Sequence, residues 1–270
     1  MNKKEKTPIF VQKSGRMSFF NNIKKAKEKV TALKDKAIKN LDNAIYKIRR
    51  GKSLSDYDKL PQKLGRTKQM PTYKDAARMA DDVYMRHKHM YTGRWTRCKG
   101  KDCYRENSET SFQAQVYERD DCYVIAFAGT ETDNINAMIE DIKHDVFSVV
   151  GLSEQFDEAI VFVRQWLSAH NVPKENITLV GHSLGGGLAA HCTYEFGIKA
   201  ITFNALGVSE LTKPDDHYSY GLITAFISDT DFLNIIMDTI PGNPLLKVAD
   251  GIRYTVKNKN MGHGIKHFYE

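Results

Sequence analysis

The sequence predicts an α/β fold with a mainly parallel central sheet. Short apolar segments alternate with amphipathic helical segments along most of the 270 residues, an order typical of a parallel sheet covered by helices on both faces. Residues 177–180, 184–196 and 199–203 read as strand, helix and strand, which is one complete βαβ unit. Hydrophobic residues make up 41% of the chain, enough for one sizeable core.

The first 66 residues differ in charge from the rest of the chain. They hold 19 Lys and Arg against 6 Asp and Glu, a net charge of +13, whereas the remaining residues hold 21 against 27. Residues 1–16 read as a disordered lead, 17–50 as one long helix and 51–71 as a polar linker. We therefore predict a basic N-terminal extension at residues 1–66 and a globular domain at 67–270.

The helix at 17–50 is predicted from apolar residues that recur every three or four positions. Its opposite face is rich in lysine, so it could lie on an anionic membrane surface. In the alternative interpretation, the apolar stripe packs on the globular domain and the lysines are only solvated. Nucleic-acid binding is not favoured, because few aromatic residues or arginines accompany the lysines. The stripe is Phe19, Ile23, Ala26, Val30, Leu33, Ala37, Leu41, Ala44 and Ile48, and the lysines are Lys24, Lys25, Lys27, Lys34, Lys36 and Lys39.

The globular domain is predicted to begin with a helix after Thr72. Two strands follow, at 112–118 and 122–127, joined by a hairpin turn. An amphipathic helix is expected from about residue 153 to 169. After the βαβ unit, a further strand is expected at 222–227.

The segment LVGHSLGGGLA at 179–189 carries most of the functional information. It contains the pattern G-x-S-x-G between an apolar strand and a helix rich in small residues. In that setting the glycines allow a sharp turn that presents Ser183 at the tip of a sheet as a nucleophile. The alternative is a serine on a tight turn with no chemical role.

A serine nucleophile needs an imidazole as base and a carboxylate that orients the imidazole. In chains with this strand–turn–helix motif, the acid and then the histidine follow the serine. The strand at 222–227 leads into Asp229 and Asp231, and a later loop holds His263 between two glycines. We predict Ser183, Asp231 and His263 as the catalytic residues, with Asp229 and His267 as the less favoured alternatives.

An acyl-transfer site also needs backbone N–H groups that stabilise the oxyanion. The N–H of Leu184, directly after the serine, begins a helix and is one candidate donor. The apolar segment VIAFAGT at 124–130 ends beside the predicted turn and supplies Thr130 as the second candidate. The alternative for this segment is an ordinary turn after a strand.

Together these motifs resemble those of the class 3 lipases of the α/β-hydrolase superfamily, including phospholipase-like members and secreted lipase effectors. The residues that carry the resemblance are VIAFAGT, LVGHSLGGGLA, ITFNALG (201–207), DTDFLN (229–234) and the Gly-His of MGHGIKHF. The resemblance covers about residues 72–270. It implies an α/β-hydrolase fold, preceded here by the basic amphipathic helix. Similar proteins have Phe-Arg-Gly-Thr where this chain has Ala128 in place of the arginine.

The resemblance implies a serine hydrolase of carboxylic esters of lipids, a lipase or phospholipase A acting at a membrane surface. The largely apolar segment 232–248 is either a lid or acyl groove near the site entrance, or a core helix followed by a turn. A soluble carboxylesterase or acyltransferase is one alternative function. A non-catalytic lipid- or partner-binding protein on a hydrolase scaffold is the other.

No cofactor and no metal site are predicted. Cys122 and Cys192 read as buried thiols, and Cys98 and Cys103 could pair in an oxidising compartment. We see no signal peptide and no membrane-spanning run, so we expect a cytoplasmic protein or one exported by an effector route. An effector would also have a cognate inhibitor or a secretion partner.

Overall fold

The computed structural model describes residues 52–54, 70–85, 92–129, 148–208, 221–234, 249–257 and 262–270. The helices in this part of the chain are α1 (Tyr73–Asp82), α2 (Ser148–Ala169) and α3 (Leu184–Phe196). The strands are β1 (Lys52–Leu54), β2 (Thr96–Arg97), β3 (Tyr104–Asn107), β4 (Phe112–Arg119), β5 (Cys122–Phe127), β6 (Ile177–His182), β7 (Lys199–Phe203), β8 (Ile223–Ser228) and β9 (Ile252–Val256).

These strands form one sheet in the order β1-β9-β8-β7-β6-β5-β4-β2, with β3 also paired to β4. The six strands from β5 to β1 in this order run parallel to one another. β4 is antiparallel to β5, and β2 and β3 are antiparallel to β4. The predicted α/β class with a mainly parallel sheet is therefore confirmed.

Helices cover both faces of the sheet, and each face has its own core cluster. One cluster joins α2 and α3 to the sheet through side chains such as Phe162, Trp166 and Leu188. The other joins α1 and the C-terminal turn Ile265–Phe268 to the opposite face. Successive residues of β6 point to opposite faces of the sheet, so Leu179 belongs to one cluster and Val180 to the other. Because both faces are covered, this strand is apolar on both sides.

Most predicted elements occur within a few residues of their expected bounds. α1 begins after Thr72, whose hydroxyl accepts a hydrogen bond from the Asp75 N–H at 2.9 Å. The hairpin β4–β5 and the βαβ unit β6–α3–β7 are present as predicted. α2 begins five residues earlier than expected, at Ser148.

The sequence interpretation missed two strands at one edge of the sheet. Residues 51–71 were expected to be a linker, but Lys52–Leu54 pairs in parallel with β9 as strand β1. β9 was not predicted, although Ile252, Tyr254 and Val256 alternate with more polar residues. The predicted boundary between residues 66 and 67 stays a prediction, and the predicted helix at 17–50 lies outside the described residues.

The four cysteines fall into two pairs of different character. Cys98 and Cys103 form a disulfide. Cys122 and Cys192 are buried free thiols, as expected, and burial raises the pKa of each. Among the described helices, none is both long and apolar enough to span a bilayer.

Candidate active site

Ser183 lies at a sharp turn between β6 and α3. Its backbone has φ 57° and ψ −127°, a conformation that costs a non-glycine residue about 1–3 kcal/mol. A Cβ at Gly181 would lie 2.1 Å from the carbonyl oxygen of Gly185, and a Cβ at Gly185 would lie 2.2 Å from the carbonyl oxygen of Phe127. Only glycine therefore fits at either position, which is the physical reason for the G-x-S-x-G pattern.

Backbone hydrogen bonds hold Ser183 in this conformation. Its N–H donates to the Phe203 carbonyl at 3.0 Å, and its carbonyl accepts from the N–H groups of Gly186 at 3.0 Å and Leu206 at 3.1 Å. The side chain is fully buried, and its Oγ has no hydrogen-bond partner among the described residues. A buried hydroxyl with no partner is costly, so this serine does not stabilise the fold through its side chain, and its role as the nucleophile stays a prediction.

Asp231 and His263 form a buried pair close to this turn. His263 Nδ1 lies 2.5 Å from Asp231 Oδ1, and both side chains are almost inaccessible to solvent. The far ring nitrogen, Nε2 of His263, is buried without a hydrogen-bond partner in the described part of the chain. Asp229, the alternative acid, is exposed. The structure thus brings together Asp231 and His263.

Asn234 binds the second oxygen of the Asp231 carboxylate. Its backbone N–H and its side-chain Nδ2 both donate to Asp231 Oδ2, at 2.9 and 2.5 Å. Its Oδ1 accepts from the Ala249 N–H at 3.4 Å. The carboxylate therefore accepts hydrogen bonds on both oxygens, which fixes the plane in which it meets the histidine ring.

The strand end that precedes Thr130 packs directly against the start of α3. A Cβ at Gly129 would lie 2.7 Å from the carbonyl oxygen of His182 and 3.1 Å from the N atom of Gly185. Leu184 is buried at the first position of the helix, where N–H groups lack partners within the helix. Thr130 itself lies outside the described residues, so its role as an oxyanion donor stays a prediction.

His182, the residue directly before Ser183, connects the turn to His263. Its Nε2 lies 2.6 Å from the His263 carbonyl oxygen, and the two ring centroids are 4.7 Å apart. Burial, and then the proximity of His263, lower the pKa of His182 to about 3. His182 is therefore neutral at physiological pH, although the sequence alone assigned it no role.

The family comparison is consistent with this geometry. A family described as a Tle-like phospholipase domain matches residues 75–252, which is most of the chain. The chain belongs to this family. The match confirms the resemblance that the sequence motifs indicated, and it covers Ser183 and Asp231, whereas His263 follows the matched segment.

One characterised relative of this Tle-like phospholipase domain is the extracellular phospholipase A1 of Serratia liquefaciens. The two sequences are 36% identical over 104 residues, which is 38% of this chain and 30% of the relative. The matched region thus spans less than a third of the relative's length.

Two solved lipase structures are similar to this domain at low sequence identity. A triacylglycerol lipase from Penicillium expansum is 16% identical with a TM-score of 0.47, and covers 68% of this chain and 78% of its own. The lipase–propeptide complex of Rhizomucor miehei is 15% identical with a TM-score of 0.48, and covers 69% of this chain and 66% of its own.

The sequence analysis did not identify the residues that form hydrogen bonds around the predicted catalytic residues. Asn234 lies in the segment DTDFLN that carries the family resemblance, but its hydrogen bonds to the carboxylate were not anticipated. Tyr84 and Asn204 also contact the site, because Tyr84 Oη accepts from the Gly129 N–H at 2.8 Å and Asn204 Nδ2 donates to the His263 carbonyl at 3.0 Å. No local pattern signals either contact, since both join segments that are distant in sequence.

Proposed function

We propose that this protein is a serine hydrolase that cleaves carboxylic esters of phospholipids through an acyl-enzyme on Ser183. The observation that carries the proposal is the buried Asp231–His263 pair beside a strained, buried serine. Within the described residues, neither Nε2 of His263 nor Oγ of Ser183 has a hydrogen-bond partner, so the two atoms are not bonded to each other in this structure. Neither atom is engaged elsewhere in this part of the chain, and in a catalytic triad Nε2 takes the proton of Oγ as substrate is attacked.

The bonding to Asp231 determines which ring nitrogen can act as the base. The carboxylate only accepts hydrogen bonds, so the bond between Nδ1 of His263 and Asp231 places the proton on Nδ1. Nε2 then has a free lone pair and can take the proton of Ser183 Oγ as this oxygen attacks the ester carbonyl. The orienting carboxylate also stabilises the imidazolium that forms.

The remaining steps follow from this proton position. The imidazolium returns the proton to the departing alcohol oxygen, which leaves the acyl group on Ser183. Water then attacks the acyl carbonyl and gives a proton to Nε2. The bond between the acyl carbon and Oγ breaks, Nε2 returns the proton to Ser183 Oγ, and the carboxylic acid leaves. During both attacks the backbone N–H of Leu184 and a donor at Thr130 stabilise the negative oxygen.

Three features support a phospholipid as the substrate. The family is one of phospholipase domains, and the relative from Serratia is named a phospholipase A1. The sequence between the acid and the base is apolar over 232–248, as an acyl-binding segment would be. We therefore propose cleavage at the sn-1 ester.

The proposal is tested with vesicles that contain phosphatidylglycerol and carry different acyl chains at sn-1 and sn-2. The wild-type protein should release the sn-1 fatty acid, and Ser183→Ala should lower the rate by about 10⁴-fold or more. Ser168→Ala is the matched control, because Ser168 is exposed on α2 and its Oγ only donates to the Arg164 carbonyl. A wild-type rate no higher than that of Ser183→Ala would refute the proposal.

Two further measurements separate the alternative functions. A soluble carboxylesterase would cleave short water-soluble esters faster than vesicle lipids. A non-catalytic scaffold would leave Ser183 unlabelled by an active-site fluorophosphonate in the folded protein. We expect labelling of the wild type and of Ser168→Ala, and no labelling of Ser183→Ala.

The lysine-rich segment 17–50 supports a second element of the proposal, contact with anionic membranes. Each lysine near an anionic surface contributes about 1 kcal/mol of binding free energy. Replacing Lys24 and Lys25 together by Gln in the full chain should therefore weaken vesicle binding roughly 30-fold at low salt. The matched control is the replacement of the exposed Lys99 and Lys101 by Gln. Equal vesicle binding by the two double variants would contradict this element.

A further inference from the structure

The side chain of His182 contacts two segments that are distant in sequence and that both lie close to the turn at Ser183. On one side its Nε2 contacts the carbonyl oxygen of His263 at 2.6 Å. On the other side its Nδ1 lies 3.5 Å from the hydroxyl of Tyr84, which also contacts the N atom of Gly129 at 2.8 Å. His182 thus joins the loop of the base to the strand end that precedes Thr130.

The contact with His263 determines which nitrogen of His182 carries the ring proton. The carbonyl of His263 can only accept, so Nε2 of His182 carries that proton. Nδ1 of the neutral ring is then an acceptor that faces the hydroxyl of Tyr84. The Tyr84 oxygen accepts the proton of the Gly129 N–H. The neutral ring therefore matches its neighbours on both sides.

The carbonyl of His263 receives a second hydrogen bond from the same region. Asn204 Nδ2 donates to it at 3.0 Å, and Asn204 Oδ1 accepts from the Ser228 N–H at 2.8 Å. His182 ends β6, Asn204 directly follows the neighbouring parallel strand β7, and both are buried. The backbone of His263 is thus held by two buried donors, while its ring is held separately by Asp231.

We propose that His182 is a positioning residue, which holds the backbone of His263 through Nε2 and connects it through Tyr84 to the Gly129 end of β5. This role rests on the proposed function, since it concerns the placement of the base relative to Ser183. The ring of His182 makes no hydrogen bond to Ser183 Oγ or to Nε2 of His263. Its loss would leave the identity of the three proposed catalytic residues unchanged but would let His263 move from its working position.

A pair of amide substitutions tests the contact with His263. The side-chain nitrogen of Gln occupies the place of Nε2 in a histidine, whereas that of Asn occupies the place of Nδ1. We therefore expect His182→Gln to retain kcat within about fivefold on the soluble ester p-nitrophenyl butyrate. His182→Asn should lower kcat about 100-fold, because a displacement of about 1 Å costs that much. KM should change less than about twofold in both variants, since the base is not a binding group.

The control for these substitutions is His170→Asn, which removes the histidine directly after α2 that pairs with Asp102 at 2.7 Å. Its kcat should equal that of the wild type. Tyr84→Phe tests the other side of His182 and should lower kcat about tenfold, with less effect when combined with His182→Asn than alone. Equal kcat in His182→Gln and His182→Asn, or additive effects of the Tyr84 and His182 substitutions, would overturn the proposal.

A second readout does not depend on activity. In protein labelled with ¹⁵N in histidine, the His182 ring should show the neutral form with the proton on Nε2 throughout pH 5 to 8. The His263 ring resonances should shift in His182→Asn and stay close to wild type in His182→Gln. Unchanged His263 resonances in His182→Asn overturn the positioning role. A wild-type rate equal to that of Ser183→Ala, with these resonances as expected, refutes only the proposed function.

Discussion

The neutral state of His182 makes the stability of the folded protein dependent on pH in a predictable way. Its pKa in the folded protein is lowered to about 3, and the titratable groups that face its ring are His263 and the Tyr84 hydroxyl. In the unfolded chain the same side chain has its ordinary pKa of about 6.5. Between these two values the unfolded chain binds one more proton at this position, so the free energy of unfolding must fall as the pH falls.

The size of this effect follows from the two pKa values. In the interval between them the free energy of unfolding changes by about 1.4 kcal/mol per pH unit. Between pH 7 and pH 5, the free energy of unfolding changes at this full rate only below pH 6.5, where the histidine of the unfolded chain is mostly protonated. The contribution of His182 to stability therefore decreases by about 2 kcal/mol over this range.

A comparison with His182→Gln isolates this contribution from those of other titrating groups. Glutamine does not titrate, so the wild type should lose about 2 kcal/mol more stability between pH 7 and pH 5 than the variant does. Urea unfolding at pH 7, 6 and 5, followed by the fluorescence of the buried Trp95 and Trp166, measures the difference. A difference between the two proteins that stays constant across this pH range would refute the assignment of a neutral, buried His182.

Three substitutions test the rest of the site. Asp231→Asn should lower kcat about 10³- to 10⁴-fold on p-nitrophenyl butyrate, because the histidine tautomer is lost, whereas Asn at the exposed Asp229 should change it less than twofold. Asn234→Ala removes the Nδ2 hydrogen bond to the buried Asp231 carboxylate and the acceptor of the Ala249 N–H, and should cost about 2 kcal/mol of stability in urea unfolding and roughly tenfold in kcat. Ser183→Gly should abolish activity yet raise the free energy of unfolding by about 1 kcal/mol, because glycine relieves the strained φ and removes the unpaired hydroxyl. An unchanged or lower stability of Ser183→Gly would show that the turn is not strained.

The predictability of each element from the sequence depended on how completely the element is buried. β6, α3 and β7 lie at the centre of the domain, where each strand is covered on both faces and its apolar run marks its bounds. β1 is only three residues long, and its pairing with β9 fixes its extended conformation. Its polar composition therefore gives no sign of a strand and resembles that of a linker. An edge strand takes its conformation from its neighbour, and a local pattern does not contain that neighbour.

The same distinction applies to the candidate site. Ser183, Asp231 and His263 were predicted because each has a local signal: a turn motif, a strand end and a loop between glycines. The residues that form hydrogen bonds with these segments, such as Tyr84 and His182, have no such local signal. Tyr84 is 98 residues from His182, and His182 is 81 residues from His263. Contacts of this kind exist only once the sheet order has brought the strand ends together.

That sheet order also explains why strain and polar groups are concentrated at one edge of the domain. β5, β6, β7 and β8 are neighbouring parallel strands, so their carboxyl ends lie at the same edge, where ligands bind in sheets of this kind. Ser183 follows β6 and Asn204 follows β7, and both adopt a positive φ, of 57° and 43°. Each of these conformations turns the chain sharply at the end of its strand. The turn at Ser183 carries the proposed nucleophile, and Asn204 donates a hydrogen bond to the backbone of His263. A shift of register by one residue between β6 and β7 would move the donor at Asn204 by more than 3 Å, beyond the reach of a hydrogen bond to His263. The catalytic geometry therefore depends on strand register as much as on the identity of the three catalytic residues.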